Sequence, residues 1–447
     1  MSHPLVTAPI GRTLLRLAGP TIGLMAVHIV VAAIDVYFVS RLGTDALAAM
    51  ALVFPLQMLM QNIAFGSIGG GVASSLARAL GAGRHDDARA LVLHAMVIAM
   101  AIALAFTAFA WTVAPRLYGL MGGIGGALEQ AVVYSNVWFA GSTLLWIFAV
   151  QSSLLRGAGD AATPGIYGVG GALCYVPLGG VLALGIGSWP GLGLVGLALA
   201  GMVTTGANVL LLGRVLWRGR LGFVPAFAGV HLQRRLFAEI LRVGLLSSLT
   251  TLMSNATAMV MAGLVGRFGI AALAGYGIGV RLEFMATPIA FGIGIALTTM
   301  VGAAVGAGAW QRAIRAAWLG GLLSFGSMGL IGWTAALVPE AWAGLFATDA
   351  AVIHAGVGYI TYVAPFYCLF GLGITLYFAS QGAGRMAVPV FASVLRMAVT
   401  VIGGWVAVET LDLGLEGVFV AIAFGMVIHG GLMAGLLLVA PWRPRQA

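Results

Sequence analysis

The second half of this 447-residue chain repeats the first. Ile63-Ala64-Phe65-Gly66 returns unchanged as Ile289-Ala290-Phe291-Gly292, a shift of 226, and Leu80-Gly81-Ala82-Gly83 returns as Val305-Gly306-Ala307-Gly308, a shift of 225. Arg156-Gly157-Ala158-Gly159-Asp160 with Pro164 is echoed by Gln381-Gly382-Ala383-Gly384-Arg385 with Pro389. Leu192-Gly193-Leu194-Val195-Gly196 is echoed by Leu413-Gly414-Leu415-Glu416-Gly417. Four matches in one order mark two homologous halves, each of which must build the same substructure. In so apolar a chain they read as two helical bundles, a duplication that recurs among secondary transporters.

Hydrophobic residues make up 61% of the chain and charged residues 8%. Soluble domains carry about 25% charged residues, so the solvent for this chain is a bilayer. Stretches long enough to span, about 20 residues each, lie near 14–40, 46–76, 90–114, 128–154, 162–187, 191–217, 240–265, 270–300, 313–338, 350–380, 386–408 and 414–440. The expected fold is therefore all-α and polytopic, with about twelve transmembrane helices in two pseudo-symmetric six-helix bundles. The expected divisions are an N-terminal bundle over 1–218, a cytoplasmic linker over 219–239 and a C-terminal bundle over 240–447. Residues Met1 to Ile10 lack a charged n-region and a cleavage site, so no removable signal peptide is expected.

The charge has a topological reading. If the N-terminus is cytoplasmic, only Arg41, Arg116 and Arg267 fall outside; the other arginines, apart from Arg281 and Arg396 within spans, fall inside, among them Arg443 and Arg445. Asp45, Glu129, Glu340, Asp349, Glu409, Asp412 and Glu416 fall outside. This follows the positive-inside rule, places both termini in the cytoplasm, and accounts for the net charge of +9 without a nucleic-acid partner. The linker is expected to carry a short amphipathic stretch from His231 to Glu239 at the interface. Cys174 and Cys368, 194 residues apart in separate spans, read as packing residues, with neither a disulfide nor a metal site expected. Abundant glycine reads as close helix packing. Pro20, Pro55, Pro164, Pro177, Pro288, Pro365 and Pro389 are candidate kinks.

Ionisable groups inside a membrane are costly and mark function by default. Here they are Asp35, Arg281, Glu283 and Arg396, joined by His28 and His429. His28 and Asp35, two turns apart, share one face of the first helix and could form a proton path; the other reading of His28 is a hydrogen-bonded interior histidine. Under the shift of 226, Asp35 corresponds to Met261, Glu283 to Gln57 and Arg281 to Pro55, so the halves share a fold and differ in chemistry. Arg281 and Glu283 should find separate partners. Arg396 is a candidate ion-pair partner for Glu283, with a transport role as the other possibility. Gln57, Gln61, Asn62, Asn136, Gln151, Asn208 and Asn255, with Tyr37, Met25, Met58, Phe65 and Trp138, are candidates to line a polyspecific cavity, each also readable as a packing residue.

Val36-Tyr37-Phe38-Val39-Ser40-Arg41-Leu42-Gly43, Ala46-Leu47-Ala48-Ala49 and Ala79-Leu80-Gly81-Ala82-Gly83-Arg84 resemble the first two helices of the multidrug and toxic compound extrusion (MATE) family. Arg156 to Asp160, the run at 191–196 and Ala274 to Glu283 fit the same family, nearest its bacterial DinF-like branch. The resemblance implies a monomeric, two-lobed antiporter of the bacterial inner membrane. It would export organic, often cationic or aromatic compounds in exchange for protons or sodium, with no cofactor and no enzymatic activity. It also implies a first helix with a kinking proline and an essential aspartate, matching Pro20 and Asp35, and a coupling mechanism in which protonation bends that helix. Many relatives carry an asparagine and an aspartate before a proline in the fifth helix, where this chain has Ala172 and Val176 ahead of Pro177. That departure favours a single-carboxylate proton mechanism over sodium binding, with Asp35, His28 and Glu283 as coupling candidates. The alternatives are a lipid-linked precursor flippase, which would line its cavity with several arginines, and a sodium-coupled exporter of a specific metabolite. An intramembrane enzyme would need His-Glu-x-x-His or Gly-x-Ser-x-Gly, which the spans lack.

Overall fold

In the computed structural model, residues 4–225, 229, 231–439 and 442 are described. Residues 226–228 and 230 of the expected linker, and Arg443 and Arg445, lie outside them. The helices are α1 (Pro4–Thr7), α2 (Ile10–Ser40), α3 (Thr44–Gln61), a π-helical stretch (Asn62–Ile68), α4 (Gly69–Gly81), α5 (His85–Thr112), α6 (Ala114–Leu120), α7 (Gly125–Ala140), α8 (Ser142–Gly157), α9 (Ala162–Leu184) and α10 (Leu194–Trp217). They continue as α11 (Arg234–Gly266), α12 (Ile270–Gly306), α13 (Trp310–Leu337), α14 (Pro339–Ala343), α15 (Ala350–Val363), a 3₁₀ turn (Ala364–Phe366), α16 (Tyr367–Ala383), α17 (Ala387–Glu409) and α18 (Gly414–Val439). Among the described residues 11 helical segments are long and apolar enough to cross a membrane, or 12 if the bent pair α7 and α8 is one span. Large apolar side chains such as Ile166, Leu210 and Met259 are exposed on them, surfaces that only a bilayer accommodates.

The chain forms two compact units, one of Gly19–Gly244 and one of Met1–Ala18 with Leu245–Ala447. This places residues 1–18 with the second half and 219–244 with the first. The boundaries 18/19 and 244/245 differ by the repeat shift of 226 and fall within α2 and α11. Each unit has its own apolar core: Val53, Leu76, Trp146 and Leu154 are fully buried in the first, and Val265, Tyr359, Val363 and Val418 in the second.

The repeated motifs are structural. Leu80 to Gly83 and Val305 to Gly308 end α4 and α12 with glycines at φ 72° and 71°. In each case the next residue closes back onto the last turn, Arg84 N–H to Ala79 O (2.9 Å) and Ala309 N–H to Ala304 O (2.8 Å). This is the left-handed helix termination that only glycine adopts without strain. Gly157 and Gly382 serve a different purpose, namely close helix crossing. A methyl group at Gly157 would sit 2.7 Å from the Ala73 carbonyl oxygen, and one at Gly382 would sit 2.5 Å from that of Thr298, its repeat equivalent.

One residue breaks the register. The shift falls from 226 at Gly66 to 225 at Leu80, so the first repeat is one residue longer there. The π-helical stretch lies at this place, with Gly69 N–H reaching back five residues to Ala64 O; α12 runs through the equivalent region without interruption. A π turn absorbs an inserted residue without breaking the helix.

Several local expectations change. Pro20, Pro55, Pro177 and Pro288 lie inside uninterrupted helices, while the bend of 45° between α7 and α8 occurs at Gly141 with no proline. The stretch His231 to Glu239 forms no separate interfacial helix. From Arg234 it is the start of α11, because Leu236 and Ile240 are fully buried in the first core. His94 of α5 accepts from the Gln233 N–H (2.8 Å) and packs its ring 4.6 Å from that of Phe237. Asp87 and Arg235 (2.5 Å) close the same seam. Cys368 is buried, whereas Cys174 is exposed on α9 and packs into no core; both are free thiols.

Candidate functional site

In the first unit Asp35 lies on α2, 25 residues into that 31-residue helix. The Tyr175 hydroxyl of α9 donates to its Oδ1 at 2.8 Å. Tyr134 of α7 lies within electrostatic reach of the same carboxylate. Its hydroxyl accepts from Nε2 of Gln57 on α3 at 3.1 Å. The carboxylate is thus held directly by one phenol with a second, amide-bonded phenol nearby, and a phenol can meet a carboxyl in either protonation state, since it both donates and accepts. His28 is exposed and has no hydrogen bond to a described residue, so the two groups on one face of α2 do not form a bonded relay.

The second unit holds a related but differently charged cluster. The Tyr359 hydroxyl of α15 donates to Glu283 Oε2 on α12 at 3.0 Å, and Tyr276 packs edge-on to Tyr359 at 5.5 Å. Residues 57 and 134 become 283 and 359 under the repeat shifts, so the two hydrogen bonds are equivalent, with the direction reversed because an amide donates and a carboxylate accepts. Arg281 and Glu283 find separate partners: the Arg281 guanidinium lies 5.4 Å over the Phe346 ring. The expected ion pair between Arg396 and Glu283 does not form, and Arg396 lies 5.0 Å over the Phe370 ring instead. Glu283 is already engaged by Tyr359, leaving Arg396 within its electrostatic reach only.

The proposed cavity residues are dispersed. Gln57, Gln151 and Asn208 are buried in the first unit, and Asn208 abuts Gly171 of α9. Asn136 is half-buried, its backbone carbonyl accepting from the Trp111 indole (3.2 Å). Trp138 packs edge-on to Phe139 at 4.8 Å. Met58 and Gln61 are half-buried, and Asn62 and Tyr37 are exposed. Asn255 is exposed and turns back to the Thr251 carbonyl of its own helix (2.9 Å). Sequence reasoning missed the tyrosines Tyr134, Tyr175 and Tyr359 altogether. The repeat carried a signal for two of them, since Tyr134 and Tyr359 are 225 apart.

At the cluster between α8 and α9, outside the spans, Asp160 accepts from the Thr163 N–H (3.0 Å), the Thr163 hydroxyl (2.6 Å) and Arg220 Nε (3.0 Å). Burial acts to raise its carboxyl, but these bonds outweigh it and hold the group below the usual carboxylate range.

Two homologous helical units in one polytopic chain, each with a polar cluster buried in its spans, define a duplicated membrane transporter. The chain belongs to the MatE family, whose model matches residues 20–181 and 247–406, one segment in each repeat. It is 28% identical over 385 residues to a protein of Shewanella oneidensis named "FAD transporter", covering 85% of this chain and 83% of that one. It is 26% identical over 453 residues to a "Probable multidrug resistance protein NorM" of Thermotoga maritima, covering 98% and 94%. The fold matches an outward-facing multidrug resistance MATE family transporter with a TM-score of 0.89 at 24% identity, over 99% and 98% of the two chains. A transporter of the same superfamily from Pyrococcus furiosus matches with a TM-score of 0.91 at 24% identity, over 99% of each.

Proposed function

We propose that this protein exports small organic compounds across the bacterial inner membrane by cation antiport, coupled to protons through Asp35. The observation that carries the reading is the carboxylate of Asp35 held by Tyr175 inside a span of a MatE-family chain. A carboxylate removed from bulk water favours its protonated form. It can take a proton from the acidic outer side and release it when its surroundings open to the cytoplasm, with cargo and proton excluding one another as the two units alternate access. One proton moving down 100 mV contributes about 2.3 kcal/mol, enough for a roughly fifty-fold gradient of a neutral substrate. His28 and Glu283 are secondary coupling candidates, Pro20 is the candidate pivot in α2, and the termini face the cytoplasm.

The relatives named for multidrug resistance support a broad substrate range. The relative named "FAD transporter" supports a second reading, export of a specific metabolite. Efflux of ethidium from proteoliposomes under an imposed pH gradient or an imposed sodium gradient tests the proposal. The expected result is efflux driven by the pH gradient and lost in Asp35→Asn; efflux driven by sodium alone would overturn the proton reading.

A further inference from the structure

Arg396 is the tenth residue of the 23-residue α17, near the middle of a span. A guanidinium at that depth is costly unless something compensates its charge. No ion pair or hydrogen bond to a described residue compensates it; the ring of Phe370 lies 5.0 Å from the guanidinium carbon, the side-chain stem lies against Gly425 of α18, and Glu283, Tyr359 and His429 are within electrostatic reach. Glu283 is committed to Tyr359. His429 of α18 is 5% exposed and Thr400, one turn beyond Arg396, is 3% exposed. The His429 Nδ1 and Thr400 Oγ1 atoms are buried without a hydrogen-bond partner among the described residues. Such orphaned groups are rare and call for an explanation. Two such atoms accompany the guanidinium and its five donors: the Thr400 hydroxyl, one turn along α17, and an imidazole nitrogen of His429 on α18, a ring within electrostatic reach of Arg396.

We infer that Arg396 is the anion-recognising element of a substrate site within the second unit, taking a carboxylate or phosphate carried on a planar aromatic group. A guanidinium fork matches either oxyanion with two parallel hydrogen bonds. With Phe370 on one side, the guanidinium can offer its other face to stack on the aromatic part of the ligand. The first unit has no counterpart: the repeat equivalent of Arg396 is Gly171, and its intramembrane charge is Asp35. The inference rests on reading the chain as an exporter of small organic compounds and names a class among them.

The test is equilibrium binding to the purified full-length protein in neutral detergent, with no gradient, so that it stands apart from Asp35 coupling. The probes are phenyl phosphate, phenyltrimethylammonium as the cationic counterpart, and short-chain phosphatidic acid as the lipid source of the same oxyanion. Phenyl phosphate should bind and resist displacement by the cation. Arg396→Gln should weaken it roughly ten- to a hundredfold, the range for a hydrogen bond to a charged group. Arg396→Lys, which keeps the charge and protects folding, should lose less, and Glu283→Gln should tighten binding by removing a competing negative charge. Unchanged affinity in both Arg396 variants would overturn the inference, as would equal binding of the cation. Binding of phosphatidic acid but not phenyl phosphate would assign Arg396 to a lipid headgroup and overturn the substrate role.

Discussion

The two units place the same hydrogen bond at the same position and give it opposite electrical character. In the first, Gln57 donates to Tyr134; in the second, Glu283 accepts from Tyr359. The first unit carries its charge one helix away at Asp35, where the second has Met261, and the second carries Arg396 where the first has Gly171. The two units share one scaffold and differ in which positions bear charge.

The scaffold should respond alike in both units. Gly157→Leu and Gly382→Leu each drive a side chain into a neighbouring backbone, and each should cost about 3 kcal/mol or more, seen as loss of monodisperse protein on size exclusion. A tolerated change in one unit only would break the equivalence. The site should respond unequally. Glu283→Gln copies a bond that Gln57 already makes and should cost under about 1 kcal/mol, whereas Gln57→Glu buries a carboxyl that no cation meets and should cost about 1–3 kcal/mol. Thermal unfolding in detergent measures both. Tyr175→Phe removes the donor to Asp35 and should cost about 1.5 kcal/mol, with Tyr134→Phe costing less because its partner is an uncharged amide.

A further modest effect belongs outside the spans. Asp160 has no acidic equivalent, since the second repeat carries Arg385 there. Asp160→Asn should cost about 1 kcal/mol, the scale of a helix-start hydrogen bond. Because its folded-state carboxyl lies below the usual range, that contribution is complete above the ordinary value of about 3.9 and is lost as pH falls through the lower folded value. Unfolding temperature measured at falling pH should therefore converge for wild type and Asp160→Asn.

Much of the fold was legible because hydropathy and repetition report it directly. Leu80 to Gly83 and Val305 to Gly308 stood out in sequence because a left-handed helix end needs glycine, and the change of shift from 226 to 225 already encoded the π-helical stretch. The unit boundaries at 18/19 and 244/245 were less visible, since α2 and α11 continue through them without a break in composition. At the site, intramembrane charges named Asp35, Glu283 and Arg396, but the groups that hold the two carboxylates are tyrosines, which look like ordinary interfacial aromatics in sequence. The pairing of Glu283 with Tyr359 in place of Arg396 is a matter of side-chain reach across helices, which spacing along one helix does not contain.

The most direct test of the division of labour sets Asp35→Asn beside Glu283→Gln in proteoliposomes and compares initial rates of efflux driven by a pH gradient. The account predicts that Asp35→Asn falls to the rate of protein-free liposomes while Glu283→Gln retains a measurable fraction of wild-type transport. The reverse order, with Asp35→Asn active and Glu283→Gln silent, would move coupling to the second unit and contradict it.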